Sequence, residues 1–198
     1  MKKKKISIWL SGAGSNAESL IRYFGNHPAI EVASVLSNAP QAPAIERLRP
    51  LGHEVQVYTP EQWKKPDEIA QKLQNDGIDL IVLAGFLAIV HEPLLTAFEG
   101  RIVNLHPSLL PKYGGKGMWG HHVHEAVIAA GDTESGITVH VVSGKIDGGH
   151  IIARHTCPVL PTDTPARLEE RIHHLEHRYY PPIVEQYLLK SKEQSRYW

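Results

Sequence analysis

A single cysteine, Cys157, is all that the 198 residues contain. No internal disulfide can form, and the chain reads as a protein of a reducing compartment, the cytoplasm. An excess of either charge is missing too: Lys plus Arg and Asp plus Glu number 21 each, with no sustained basic stripe. Such a chain has no electrostatic footing for nucleic acid. No apolar run approaches the length of a membrane span. Behind the positive start Met1–Lys5, the run Ile6–Leu10 is too short for a signal-peptide core and reads as a first strand with a charged lead-in. What is present is an ordinary globular balance, 42% hydrophobic and 21% charged, expected to fold as one domain over 1–198 with a polar tail at 190–198.

Histidine is the one unusual count, at 13. The groups His121, His122, His124 and His173, His174, His177 invite a metal reading. Neither carries the Cys or carboxylate partners and spacing of a recognisable zinc site, so no metal is expected.

Short β-branched runs alternate with helical patterns. The runs are Ile6–Leu10, Val32–Leu36, Val55–Tyr58, Leu80–Ala84, Ile102–Leu105 and Ile137–Val142. Between them lie Asn16–Phe24, Ala42–Leu51, Pro60–Asn75, Glu92–Phe98 and His122–Ala130. This alternation predicts an α/β fold with a largely parallel sheet. Leu80–Ala84 is apolar without a break, as a strand covered on both faces should be. A final helical segment runs from about Thr164 to Leu189, opened by Thr164-Pro165 and expected to kink or break at Pro181 and Pro182.

Two local patterns carry chemistry. Ser11-Gly12-Ala13-Gly14-Ser15-Asn16 joins the first strand to the first helix. Glycines let backbone N–H groups approach a ligand, and the helix N-terminus adds positive potential, so the loop suits a phosphate. A tight turn that merely caps the helix is the alternative. It is neither a complete dinucleotide fingerprint, since Ala17 stands where the third Gly would be, nor a Walker loop. The second pattern is Asn104-Leu105-His106-Pro107, where an amide and an imidazole share one strand face. Together they can hold a developing oxyanion. Farther on, Asp147-Gly148-Gly149 reads either as a plain turn or as a carboxylate that keeps His106 protonated.

The segment Asn104 to Tyr113 resembles the active-site strand of the folate-dependent formyltransferases, and Gly136 to Ile151 resembles their signature pattern. The resemblance implies a Rossmann-like formyltransferase fold, a mostly parallel twisted sheet with helices on both faces. It implies a catalytic trio of Asn104, His106 and Asp147 supported by Thr138, and 10-formyltetrahydrofolate as co-substrate without a metal. The folate would meet Leu87, Ala88, Ile89, Val90, Asn104, His140, Val142 and Asp147. Within the superfamily, the glycine loop and the segment His173 to Pro181 are similar to the branch that formylates 5-phosphoribosyl-glycinamide in purine biosynthesis. The chain's length, which leaves no room for the further domains of other branches, points the same way. That branch implies an acceptor site of Gly12, Ala13, Gly14, Ser15, Asn16, Pro107, His173 and Glu176. The alternatives are a formyltransferase for nucleotide-linked amino sugars and a 10-formyltetrahydrofolate hydrolase. In every case the partners are small molecules, with no nucleic acid or membrane, and the chain is a monomer or a homodimer. The sequence departs from the family at Ala88, where an Arg is usual, and at His173, where a Gln is usual. Its segment Tyr113–His121 is longer and richer in Gly, a candidate lid, and Lys64 or Lys65 would stand in for a missing phosphate-binding Arg.

Overall fold

The computed structural model describes residues 2–190, so the polar tail from 191 onward lies outside it. Seven strands form one sheet: β1 (Lys4–Leu10), β2 (Ile30–Ser37), β3 (Val55–Val57), β4 (Leu80–Leu83), β5 (Ile102–His106), β6 (Glu134–Val141) and β7 (Ile151–Pro158). Their order is β3-β2-β1-β4-β5-β6-β7. The pairings from β3 to β5 are parallel, and β5–β6 and β6–β7 are antiparallel. The expected mostly parallel α/β sheet is therefore present. β7 was not expected, because its alternation mixes Arg154, His155 and Thr156 among small apolar residues on a half-exposed edge.

The helices are α1 (Ser15–Phe24), α2 (Ala44–Leu48), α3 (Pro60–Trp63), α4 (Pro66–Asn75), α5 (Leu94–Ala97), α6 (His121–Ala129) and α7 (Pro165–Leu189). The helical stretch expected over Pro60–Asn75 is two helices, because Pro66 disfavours helical backbone at Lys65 and starts a new first turn. The central strands divide two cores. Leu80 and Val82 of β4 face one with Ile6, Ile8 and Leu10; Ile81 and Leu83 face the other with Trp9. Burial on both sides is what their unbroken apolar run predicted.

α7 corrects the expectation of a break, since it runs through Pro181 and Pro182 without interruption. Pro181 cannot donate to the carbonyl of His177. That carbonyl accepts instead from Ser19 Oγ of α1 at 3.2 Å. Tyr180, fully buried, donates its hydroxyl to Leu83 O at 2.9 Å and ties α7 to the C-terminal end of β4. The face of α7 that carries Glu176 is thus fixed against both the sheet and α1.

Candidate active site

β5 delivers Asn104 and His106 to the same side of the sheet, while β6 runs antiparallel beside it with His140 opposite Asn104 and Thr138 opposite His106. His106 is 4% exposed. Its Nε2–H donates to Tyr113 O at 2.7 Å, since a carbonyl can only accept. Nδ1 then faces Asp147 Oδ2 at 3.6 Å. Asp147 comes from the turn after β6 and holds the left-handed conformation, φ 51°, which Asp tolerates better than most residues. Its Oδ2 accepts from Gly115 N at 2.8 Å, and its Oδ1 lies 3.6 Å from His140 Nε2. Asn104 Nδ2 is 3.2 Å from the same His140 nitrogen. The three residues expected to act together are therefore brought together.

Burial and neighbouring charges act on these groups in opposite directions. Burial is the largest influence on His106 and lowers its pKa from the ordinary value, outweighing the Asp147 carboxylate and the Tyr113 carbonyl, which raise it. The Asp147 carboxylate raises the proton affinity of His106, but burial outweighs it. With Nε2–H committed to the Tyr113 carbonyl, Nδ1 is the nitrogen that gains or loses the second proton, beside the carboxylate. Burial likewise pushes Asp147 up, but His140, the Gly115 N–H and His106 outweigh it and leave the carboxyl below its usual range.

The glycine loop lies at the end of β1. Gly14 has φ 76°, and a Cβ there would stand 2.6 Å from Ala44 Cβ, so only glycine fits. Ser15 starts α1, whose first N–H groups have no partner within the helix. Ser11 Oγ donates to Asn38 Oδ1 at 2.6 Å and accepts from Leu87 N at 2.8 Å, linking this loop to the 86–90 segment. Asn16 Nδ2 donates to Glu176 Oε2 at 2.8 Å, and His173 Nδ1 approaches the same oxygen at 2.8 Å. Asn16 Oδ1 is buried without a partner. Glu176 is itself buried, and its charge is felt at His106. Ala13 is exposed and Pro107 half-buried.

Two expected roles are corrected. Thr138 does not support the trio with its hydroxyl: Oγ1 donates to Ser108 O at 2.6 Å and accepts from Leu110 N at 3.0 Å, bracing the turn after His106. His140, expected against the folate, is 2% exposed and lies beneath Asn104 and Asp147. Of the other expected folate residues, Leu87 and Ile89 are exposed, Ala88 and Val142 half-buried, and Val90 packs into the second core. Lys65 is paired with Glu68 at 2.8 Å on the surface. Three of the clustered histidines pair with carboxylates: His121 with Glu169 and His173 with Glu176, each at 2.8 Å, and His122 with Glu125 at 3.2 Å. Among the described residues, no group of three or more His, Cys, Asp or Glu is arranged to hold a metal ion. Nor is any helix among them long and apolar enough to cross a membrane. Tyr113 O, Gly115 N and Ser11 Oγ were not foreseen. Two are backbone atoms, which leave no mark in a sequence.

With this geometry, the sequence pattern of the formyl transferase family matches residues 4–184. The chain belongs to the formyl transferase family. A phosphoribosylglycinamide formyltransferase of Haemophilus influenzae is 35% identical over 187 residues, covering 91% of this chain and 85% of that protein. The chloroplastic phosphoribosylglycinamide formyltransferase of Arabidopsis thaliana is 34% identical over 92% of this chain, which spans 65% of the plant protein's length. The crystal structure of the Bacillus halodurans phosphoribosylglycinamide formyltransferase superposes with a TM-score of 0.83 at 36% identity, covering 94% of this chain and 96% of that one.

Proposed function

We propose that this chain transfers the formyl group of 10-formyltetrahydrofolate to the amine of 5-phosphoribosyl-glycinamide. The observation that carries the reading is Glu176. It is bonded to Asn16 at an anion-binding helix start and acts on His106 at the trio. A phosphate at the helix start and a reacting amine at the trio would place Glu176 beside the part of the acceptor that joins them. The names of the relatives agree with this acceptor. Backbone N–H groups of Gly14, Ser15 and Asn16 take the phosphate. Glu176 and the unpartnered Asn16 Oδ1 are acceptors, suited to the hydroxyl and amine donors of the rest of the molecule. The exposed Leu87 and Ile89 offer apolar surface to the flat folate ring system beside the end of β5.

The chemistry follows from the tautomer. The amine lone pair attacks the formyl carbon, and the carbonyl electrons move to oxygen. His106 Nδ1 takes the amine proton and becomes an imidazolium beside Asp147, whose charge favours that form. Asn104 Nδ2–H then donates to the oxyanion, with the imidazolium charge beside it; losing such a donor costs about 3 kcal/mol in the barrier. The proton passes to the folate nitrogen as its bond to carbon breaks. A spectrophotometric assay of 10-formyltetrahydrofolate tests the reading. Loss of the formyl donor should require phosphoribosyl-glycinamide. Equal loss with a nucleotide-linked amino sugar, or with no acceptor, would contradict it.

A further inference from the structure

Asp132 sits in the turn between α6 and β6, outside the trio. Its Oδ2 accepts from the Tyr113 hydroxyl at 2.8 Å, and Lys112 Nζ donates to Oδ1 at 2.9 Å and Oδ2 at 2.8 Å. The carbonyl of Lys112 accepts from Ser108 Oγ at 2.7 Å. Tyr113 has φ 54°, a left-handed backbone that a residue with a Cβ abandons unless its surroundings hold it. That conformation aims its carbonyl at His106 Nε2, 2.7 Å away.

An imidazole whose proton is on the wrong nitrogen keeps its place and loses its chemistry. We propose that Asp132 is a positioning residue that selects the tautomer of His106, acting through the side chain and backbone of Tyr113. The chain of contacts is continuous: Asp132 carboxylate, Tyr113 hydroxyl, Tyr113 carbonyl, His106 Nε2–H, leaving Nδ1 basic towards Asp147. Lys112 contributes less, since its side chain is 66% exposed and such ion pairs are weak. The anchor borders a cleft of about 260 Å³ lined by Leu109, Lys112, Tyr113, Asp132 and Ser135 among others. This is space into which the Tyr113 ring turns once its hydroxyl is released. The titratable groups that act on His106, namely Asp147, His140 and Glu176, come from other elements and are untouched by changes at Asp132.

The inference rests on the reading of His106 as the base, so its test separates the two. Tyr113→Phe, Asp132→Ala and Asp132→Asn are made in the full chain; the last keeps an acceptor oxygen for the phenol. Long-range ¹H–¹⁵N correlation of His106 is recorded without ligand at about pH 8, above the ordinary histidine range. The wild type should be in the Nε2–H form. Tyr113→Phe and Asp132→Ala should gain an Nδ1–H population and lose about tenfold in kcat, with both KM values within about twofold, and Asp132→Asn should fall between. Tyr113→Phe, which removes one oxygen, keeps the test open if Asp132→Ala fails to fold. An unchanged tautomer in the folded variants overturns the role of Asp132. A shifted tautomer with unchanged kcat upholds that role and overturns His106 as the base.

Discussion

Asn16 of α1 and Glu176 of α7, 160 residues apart in sequence, are joined by a 2.8 Å hydrogen bond that makes the glycine loop and the last helix one surface. Glu176 Oε2 also faces His173 Nδ1, so two donors converge on one buried carboxylate oxygen. Glu176→Ala takes that acceptor from both the Asn16 amide and His173 Nδ1. Acceptor KM should rise about tenfold or more while folate KM stays within about twofold, and stability should fall by about 1–3 kcal/mol. Steady-state kinetics and thermal unfolding of the variant check both.

Ser15 begins α1, where partial positive charge gathers. Ser15→Asp puts a carboxylate where the phosphate is proposed to sit. Acceptor KM should rise by about tenfold or more, and folate binding, measured by titration, should not change. An equal loss of both would put the phosphate elsewhere.

Asp147→Asn is a clean test of the trio because Asn also tolerates the left-handed backbone that Asp147 holds at φ 51°. Turnover should fall about 10²-fold with little change in either KM. The pH profile carries a sign. The Asp147 charge raises the proton affinity of His106, so removing it lowers that affinity further. A base must be neutral to act. The rise of kcat/KM with pH should therefore move to lower pH in the variant, and a move to higher pH would contradict the pairing.

His124 is 1% exposed, and its Nδ1 has no hydrogen-bond partner. Burial lowers its pKa below 6.5, and the charges of Glu169 and Glu176 oppose this only in part. The folded state thus takes up the proton later than the unfolded chain as pH falls. Stability from this group is intact above about 6.5 and drains away through the depressed folded value. His121 and His173 run the other way, their pKa raised by hydrogen bonds to Glu169 and Glu176. The comparison must therefore be between variants. Between about pH 8 and about pH 5.5, His124→Leu should lose less Tm than the wild type. An equal loss would mean that His124 titrates normally.

Much of the fold was legible because its strands are chemically uniform. The unbroken apolar run of Leu80 to Leu83 fits a strand covered on both faces, which it forms. β7 was missed because Arg154 and His155 blur its pattern, and only its pairing with β6 identifies it. Pro181 and Pro182 signalled a break that tertiary contact with Ser19 removes. At the site, Asn104 and His106 were readable from their spacing on one strand. Asp147 was not, since its turn reading is also correct: a Cβ at Gly149 would lie 1.8 Å from Val141 O, so the glycines serve the turn itself. The downward shift of the His106 pKa is not legible in the sequence for a physical reason. A neighbouring carboxylate can be guessed from a family pattern, but the extent of burial, which here outweighs it, is a property of the folded chain.

The most direct test follows the formyl carbon itself. Enzyme in excess over [¹³C-formyl]-10-formyltetrahydrofolate is mixed with phosphoribosyl-glycinamide, and the label is counted by NMR on the acceptor amine and in free formate. Direct attack by the amine, with His106 Nδ1 as its base, predicts nearly all of the label on the amine, both in the wild type and, more slowly, in Asp147→Asn. Label found mainly in formate would mean that water is the nucleophile, and the account would fail.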